Sequence, residues 1–191
     1  RSDPGRWPDL YPQAQGFLQG FGAHVILADA QGQMLFNTRE PLGTTLPRLP
    51  VSDGRSAAPL ALATGRPHVG DIVIGPVAKR RLVAIAVPVL RGGRPEAVLL
   101  ATQETAQFQQ PLDRLALPAG WSITLRDGTG ADIARRGPPG LDARRNAASD
   151  HRVTTPLAAA AWTVVLEIPA AVRAHDLRQA LLVPAGAILV A

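Results

Sequence analysis

The sequence is poor in three kinds of residue: it has no cysteine, Lys79 as its only lysine, and only 4% aromatic residues. The missing cysteines exclude disulfide bonds, cysteine metal ligands and thiol nucleophiles. Few aromatic residues, together with eighteen prolines and eighteen glycines among 191 residues, predict many short elements joined by tight turns. This composition favours sheet-rich modules over a helix bundle.

The positive charge is carried almost entirely by arginine, and the formal net charge is +5. Guanidinium groups bind carboxylates and phosphates through two-point hydrogen bonds, so an anion-binding pocket or surface is one interpretation. Solvated surface arginines are the other. The arginines are scattered singly or in pairs, without a basic helix or interleaved aromatic residues, and we therefore expect no nucleic-acid partner.

The residues that could carry catalysis or hold a metal are dispersed along the chain. His24, His68, His151 and His175 are not at metal-ligand spacing, and neither a His-Glu-x-x-His nor a Gly-x-Ser-x-Gly motif is present. The stretch at 127–130, Asp-Gly-Thr-Gly, lacks the lysine and the following helix of a phosphate-binding loop, so a turn is the better interpretation. We expect this chain to have no enzymatic activity, no metal and no cofactor.

A hairpin pattern occurs twice, with a constant separation of 98 residues. In each copy an apolar run ends in an aspartate, a glycine follows three residues later, and a second apolar run returns. The matching positions are Leu27, Asp29, Gly32 and Leu35 in the first copy and Leu125, Asp127, Gly130 and Ile133 in the second. We interpret both aspartates as turn residues that bond their own backbone.

A second pair of landmarks follows the hairpins. Residues 86–88, Ala-Val-Pro, resemble residues 167–169, Glu-Ile-Pro, which end the apolar strand predicted over 162–168. Two matched landmarks in the same order indicate an internal duplication. The pattern predicts an α+β fold with two tandem modules, each built on a separate antiparallel sheet.

Turn and cap signals divide the chain into segments. We expect the end of an N-terminal helix at 1–22, a first module at 23–106, a linker at 107–118 and a second module at 119–175. Within the first module, Asp53 is expected to cap a helix over about 55–64 that ends at Gly65. The strands expected after it are 69–74, 81–90 and 97–102, and the turn at 91–94 joins the last two. In the second module the polar stretch 137–149 replaces the loop and helix.

The last dozen residues, 180–191, are uncharged and largely apolar. They fit either a buried terminal helix or the first part of a membrane span, which needs about 20 apolar residues. No polar residues alternate with the apolar ones to form an amphipathic face. We therefore expect residues 176–191 to be the start of a second transmembrane helix.

Several stretches, taken in order, resemble the double-Cache sensor domains of bacterial transmembrane receptors. They are 25–39, 41–43, 46–47, 61–67 and 84–89 in the first, membrane-distal module, and 120–121, 125–127 and 162–169 in the second, membrane-proximal one. The resemblance implies two PAS-like (Cache) modules with the N-terminal helix packed along them, located in the periplasm between two transmembrane helices of an inner-membrane protein. It also implies a homodimeric receptor whose output is a histidine kinase, a cyclic-dinucleotide enzyme or a chemoreceptor domain, with two-component signalling favoured. The amino-acid-binding members carry an Arg, Trp and Tyr signature after the first hairpin, whereas residues 50–67 contain no aromatic residue, which argues against an amino-acid ligand.

The ligand pocket of a PAS-like module is formed by the sheet face, the covering helix and the loop before it, where a few polar groups converge on an apolar cavity. In this chain that arrangement predicts a small-molecule site in the first module, formed by Asn37, Thr38, Arg39, Arg55, His68, Asp71 and Gln103. We expect Arg39 or Arg55 to contact a ligand that carries a carboxylate or a similar acceptor. The alternative is a ligand-free module that binds a periplasmic protein partner or sets receptor dimerisation.

Overall fold

Two antiparallel sheets with few helices make up the computed structural model, which describes residues 7–51, 55–138, 151–158 and 160–168. The first module comprises α1 (Trp7–Phe21), β1 (His24–Asp29), β2 (Met34–Asn37), α2 (Ala57–Thr64), β3 (His68–Val69), β4 (Val73–Ile74), β5 (Arg81–Arg91) and β6 (Arg94–Glu104). A 3-10 turn (Thr105–Phe108) and α3 (Gln109–Asp113) lead to the second module, which comprises β7 (Ser122–Arg126), β8 (Asp132–Arg136), β9 (His151–Pro156) and β10 (Thr163–Ile168).

The two sheets are separate, as predicted. The first has the strand order β2-β1-β6-β5-β3, with β4 also paired to β5, and the second has the order β8-β7-β10-β9. All pairings are antiparallel, and among the described strands none joins one sheet to the other. The predicted α+β class with one antiparallel sheet per module is therefore confirmed.

The duplicated hairpins have the same geometry in both modules. Oδ1 of Asp29 accepts hydrogen bonds from the amides of Gln31 and Gln33. Oδ1 of Asp127 accepts them from the amides of Thr129 and Ala131, the equivalent positions of the second hairpin. Gly32 and Gly130 both have positive φ, 78° and 86°, which the turn requires. The ladders even share a bulge at matching positions, after residues 27 and 125. Both aspartates are turn residues, as predicted.

The second pair of sequence landmarks does not match equivalent strands. Residues 86–88 lie in the middle of β5, whereas residues 167 and 168 end β10. By its pairing with β7, the counterpart of β1, β10 is equivalent to β6 and not to β5. The counterpart of β5 is β9, which was not predicted because its sequence is polar and all six residues are exposed.

One face of the first sheet packs on α2. Small side chains at Ala57, Ala58 and Ala61 bring this helix close to the sheet, where Ala86 and Val98 are fully buried. The helix ends at Gly65, whose amide donates to the carbonyl of Ala61, as predicted. Ser56 occupies the N-cap position, and the expected cap Asp53 lies outside the described residues.

The N-terminal helix α1 covers part of the opposite face of the first sheet, at β1 and β2. Tyr11 packs edge-on against Phe36 with ring centroids 5.7 Å apart, and its hydroxyl donates to the carbonyl of Glu40 at 2.6 Å. Ala14 completes this contact. The helix contains Pro12 and two glycines, so it depends on packing against the sheet rather than on its own propensity.

Two predicted segments differ in the structure. The strand expected at 69–74 is split into β3 and β4, because the amides of residues 71 and 72 bond outside the sheet. The segment expected as a linker, 107–118, contains the end of the 3-10 turn and α3. The expected membrane segment 176–191 and most of 137–149 lie outside the described residues. Within the described ranges, no helix combines the length and apolar character that crossing a membrane requires.

Candidate functional site

A small cavity lies between the first sheet and α2. Its volume is about 40 Å³, which is space for about three water molecules or a ligand of similar size. Most of its wall is apolar, with side chains such as Ile26, Met34, Ala58, Leu82 and Leu100. The polar residues in the wall are Ser56, Asp71 and Thr102. A cavity of this kind suits a small molecule with an apolar body and few hydrogen-bonding atoms.

The chain passes unusually close to the start of α2 at Gly70. A Cβ atom at this position would lie 2.7 Å from the backbone nitrogen of Ala57 and 3.0 Å from the carbonyl oxygen of Arg55. Only glycine fits there without displacing backbone. The segment Gly70–Ile72, which separates β3 from β4, is therefore fixed against the helix that covers the cavity.

The same segment is bonded to the second module through two aspartates in a reciprocal arrangement. Oδ1 of Asp71 accepts a hydrogen bond from the amide of Gly128 at 2.7 Å. The amide of Ile72 in turn donates to Oδ2 of Asp127 at 3.1 Å. Burial opposes ionisation of Asp127, but the hydrogen bonds from Thr129, Ile72 and Ala131 outweigh it and lower the pKa of this carboxyl.

A tryptophan from the second module completes the contact. Nε1 of Trp162 donates to the carbonyl of Gly70 at 3.1 Å, and the indole packs with Val83 and Ile133 in a buried cluster. The ring of Phe108 meets the indole edge-on, with centroids 5.9 Å apart. Gly70, Asp71 and Ile72 are thus each hydrogen-bonded to the second module.

Three solved structures illustrate what this chain is similar to. The sensory domain of the chemoreceptor Tlp3 of Campylobacter jejuni, solved with isoleucine bound, gives a TM-score of 0.61 at 15% identity over 88% of this chain and 75% of its own. The ligand-binding domain of the amino acid chemoreceptor PctC of Pseudomonas aeruginosa PAO1, in complex with GABA, gives a TM-score of 0.59 at 16% identity, over 85% of this chain and 81% of its own. The extracellular domain of a candidate histidine kinase, mmHK1S-Z3, gives a TM-score of 0.62 at 10% identity, over 90% of this chain and 82% of its own. No family model and no curated protein sequence matches the chain.

The chain has the double-Cache fold. The resemblance inferred from the sequence is confirmed at the level of fold. The solved double-Cache structures named above are sensory and ligand-binding domains, not catalytic ones. Among the described residues of this double-Cache chain, no three His, Cys, Asp or Glu side chains are grouped closely enough to hold a metal ion.

Of the seven residues predicted for the site, Asp71 is the one that lines the cavity. The residue is 3% exposed. A Cβ atom at Gly128 would lie 2.9 and 3.2 Å from its two carboxylate oxygens, so the carboxylate faces the second module. Oδ2 is buried without a hydrogen-bond partner among the described residues. Asp71 therefore joins the cavity wall to the contact between the modules.

Asn37 and Thr38 hold the chain where it leaves β2. Oδ1 of Asn37 accepts from the amide of Arg39 at 3.0 Å. Oγ1 of Thr38 accepts from the amide of Val25 at 3.0 Å and lies 3.2 Å from Nδ1 of His24. Both side chains are buried and fix the start of the following loop, and neither lines the cavity.

Arg39 is paired with an acidic side chain that sequence reasoning did not find. Its guanidinium lies 3.2 Å from Glu104, which also lies 3.8 Å from Arg80. Nε of Arg39 is buried without a hydrogen-bond partner among the described residues. Because Glu104 offsets the charge of Arg39, less positive charge is left to attract an anion. Arg39 also does not line the cavity.

The remaining predicted residues lie apart from one another. Arg55 is exposed, although its carbonyl accepts from the amide of Asp71 at 3.0 Å. Nε2 of His68 is 2.8 Å from the hydroxyl of Thr64 at the end of α2. Gln103 lines a different space, a cleft on the other face of the sheet. The predicted set is thus not brought together around a single cavity.

His24 is expected to make the stability of the fold depend on pH. Burial lowers the pKa of His24 below its ordinary value of 6.5, and the nearby Arg39 guanidinium lowers it further, although Glu104 opposes this. Because the folded state favours the neutral imidazole, this contribution is complete above pH 6.5 and is lost as the pH falls from there toward the lowered pKa. We expect the free energy of unfolding, measured by urea denaturation, to decrease less between pH 7 and 5 in His24→Gln than in the wild type.

The exposed His151 provides the control for this experiment. His151→Gln is expected to keep the pH dependence of the wild type. Equal pH slopes for the wild type and His24→Gln would contradict the role given to His24.

Proposed function

We propose that this chain is the extracytoplasmic sensor region of a bacterial membrane receptor and binds a small molecule in the cavity of its first module. The observation that carries this proposal is the apolar cavity between the sheet and α2, in a fold whose solved examples are sensory domains. Two of those examples were solved with isoleucine and with GABA. The first module would be the membrane-distal one, with transmembrane helices on either side of the chain.

The wall of the cavity favours a small ligand with an apolar body. Its polar residues are Ser56, Asp71 and Thr102, and the hydroxyl of Thr102 already donates to the carbonyl of His24. The arginines expected to bind a carboxylate do not line it: Arg39 is paired with Glu104, and Arg55 is exposed. A strongly anionic ligand is therefore less favoured than the sequence indicated.

The segment Gly70–Ile72 is the proposed route of transmission. It lies against the start of α2, contributes to the cavity wall, and bonds the second module at each of its three residues. A ligand that displaces or stiffens this segment changes the contact with Asp127 and Trp162. In the full receptor the shift would continue into the membrane helices and a cytoplasmic output domain such as a histidine kinase.

The N-terminal helix supports a second proposed property, a homodimer. Phe17 and Phe21 on α1 are 39% and 71% exposed, and their rings are stacked with centroids 4.6 Å apart. Exposed neighbouring aromatic rings of this kind suit pairing with the same helix of a second copy. This observation also favours the alternative function, an interaction module that binds no small molecule.

A thermal-shift screen of amino acids, amines and organic acids tests the proposed function. A ligand present at 100 times its dissociation constant stabilises the folded state by about 2.7 kcal/mol. We expect Ala58→Val, which adds two methyl groups at the cavity wall, to abolish the shift produced by a hit. The same hit is expected to slow hydrogen exchange at the amides of Ile72 and Gly128 in the wild type.

Ala63→Val is the matched control, because Ala63 is exposed on the same helix and bears the same loss of helix propensity. It is expected to keep the full shift. A hit that stabilises Ala58→Val as much as the wild type would place binding outside the cavity. A screen without any hit would favour the interaction module.

A further inference from the structure

A second and larger space lies between the modules, on the face of the first sheet opposite α2. This inter-module cleft has a volume of about 490 Å³, which is within the range of about 300–1,000 Å³ that small-molecule sites occupy. One wall is the sheet, with Val83, Ile85 and Ala101. The other wall is formed by Phe108 together with Leu157, Ala158, Ala160 and Trp162. The cleft is separate from the cavity proposed above, although Ala84 contributes to both.

The chemistry of the cleft is almost uniformly apolar. No charged side chain of the described residues lines it, and the indole N–H of Trp162 is already bonded to the carbonyl of Gly70. A charged occupant would lose its hydration there without compensation, so the occupant is neutral. The lining includes two aromatic side chains, Phe108 and Trp162, which can contact the rings of an aromatic occupant.

Gln103 supplies a hydrogen-bonding group to this cleft. It is half-buried, lines the cleft, and its side-chain amide has no hydrogen-bond partner among the described residues. An amide can both donate to and accept from an occupant. The cleft therefore combines apolar walls with one convergent polar group, the usual composition of a site for a small ligand.

The volume of the cleft falls in the range of small-molecule sites. From these observations we propose that the inter-module cleft is a second ligand site, which binds a neutral, ring-containing molecule with one hydrogen-bonding group held by Gln103.

The neutral fluorophore N-phenyl-1-naphthylamine, which has three aromatic rings and one N–H, tests the proposal. Its fluorescence is expected to rise saturably with one site per chain. Ala101→Phe, which fills the cleft, is expected to weaken binding at least tenfold. Gln103→Met, which keeps the length of the side chain but removes the amide, is expected to weaken binding about fivefold, and to leave binding of 2-phenylnaphthalene, which has no N–H, unchanged.

Leu99→Phe is the matched control, because Leu99 is exposed two residues away on the same strand and lies outside the cleft. Leu99→Phe should leave the affinity for the fluorophore within twofold of the wild type. Ala58→Val should do so as well, and that result would distinguish this cleft from the cavity under α2. Equal weakening by Leu99→Phe and Ala101→Phe, or no saturable binding, overturns the proposal. If Ala101→Phe fails to fold, NMR of the wild type provides the test. The side-chain amide signals of Gln103, identified by their absence in Gln103→Met, should shift when the fluorophore is added. Unshifted signals would also overturn the proposal.

Discussion

Asp127→Asn is expected to lower the free energy of unfolding by about 2 kcal/mol, whereas Asp29→Asn should lower it by less than about 0.5 kcal/mol. The two residues occupy equivalent turns, and an asparagine oxygen can replace Oδ1 in both. Within the described part of the chain, only Asp127 also uses its second oxygen, which accepts from the amide of Ile72. In Asp127→Asn a side-chain NH₂ would face that N–H, so that a partly buried donor loses its acceptor.

Urea denaturation of both variants at several pH values measures this difference. Because the pKa of Asp127 is lowered from its ordinary 3.8, the stabilisation by the carboxylate is present above pH 3.8 and is lost as the pH falls through the lowered pKa. The difference in free energy of unfolding between the wild type and Asp127→Asn should therefore become smaller under acidic conditions. Equal losses in the two variants at neutral pH would show that the bond between the modules adds nothing to stability.

Gly70→Ala is expected to lower the free energy of unfolding by about 3 kcal/mol, at the upper end of the usual cost of overpacking. The added methyl group would meet the backbone of Ala57 and Arg55, which cannot rotate away as a side chain can. Relief requires α2 to move away from the sheet, which alters the cavity wall. Compounds that stabilise the wild type in the thermal-shift screen should therefore fail to stabilise this variant.

Gly16→Ala provides the control of opposite sign. Gly16 lies inside α1, with no atom within 4 Å of an added Cβ. Alanine there should raise stability by about 0.5–1 kcal/mol, because it loses less backbone entropy on folding. A Gly70→Ala protein within about 1 kcal/mol of the wild type would contradict the close packing of α2 on this segment.

Features set by neighbouring residues could be predicted from the sequence. The two hairpins were found because an aspartate, a glycine three positions later and the flanking apolar runs together specify the turn. The end of α2 at Gly65 was found for the same reason. The polar, fully exposed β9 gave no such local signal, since an edge strand without a buried face has no alternating pattern.

Features set by distant residues could not be predicted. Arg39 looks like an anion-binding residue in the sequence, because nothing near it reveals Glu104, 65 positions later, as its partner. Asp71 is a polar residue within the otherwise apolar run 69–74, but the sequence does not reveal its bond to Gly128, which spans 57 positions. The split of the predicted strand 69–74 has the same origin, since the amide of Ile72 bonds to Asp127 instead of continuing the sheet.

The bonds made by Gly70–Ile72 also bear on how the two modules fold. If the second module unfolds, the Ile72 amide, the Gly70 carbonyl and the Asp71 carboxylate lose partners that lie between 55 and 92 positions away. If the first module unfolds, Asp127 and the Trp162 indole lose theirs. Each module is thus expected to supply part of the other's folding free energy, so that the pair should unfold as one cooperative unit despite having two separate sheets.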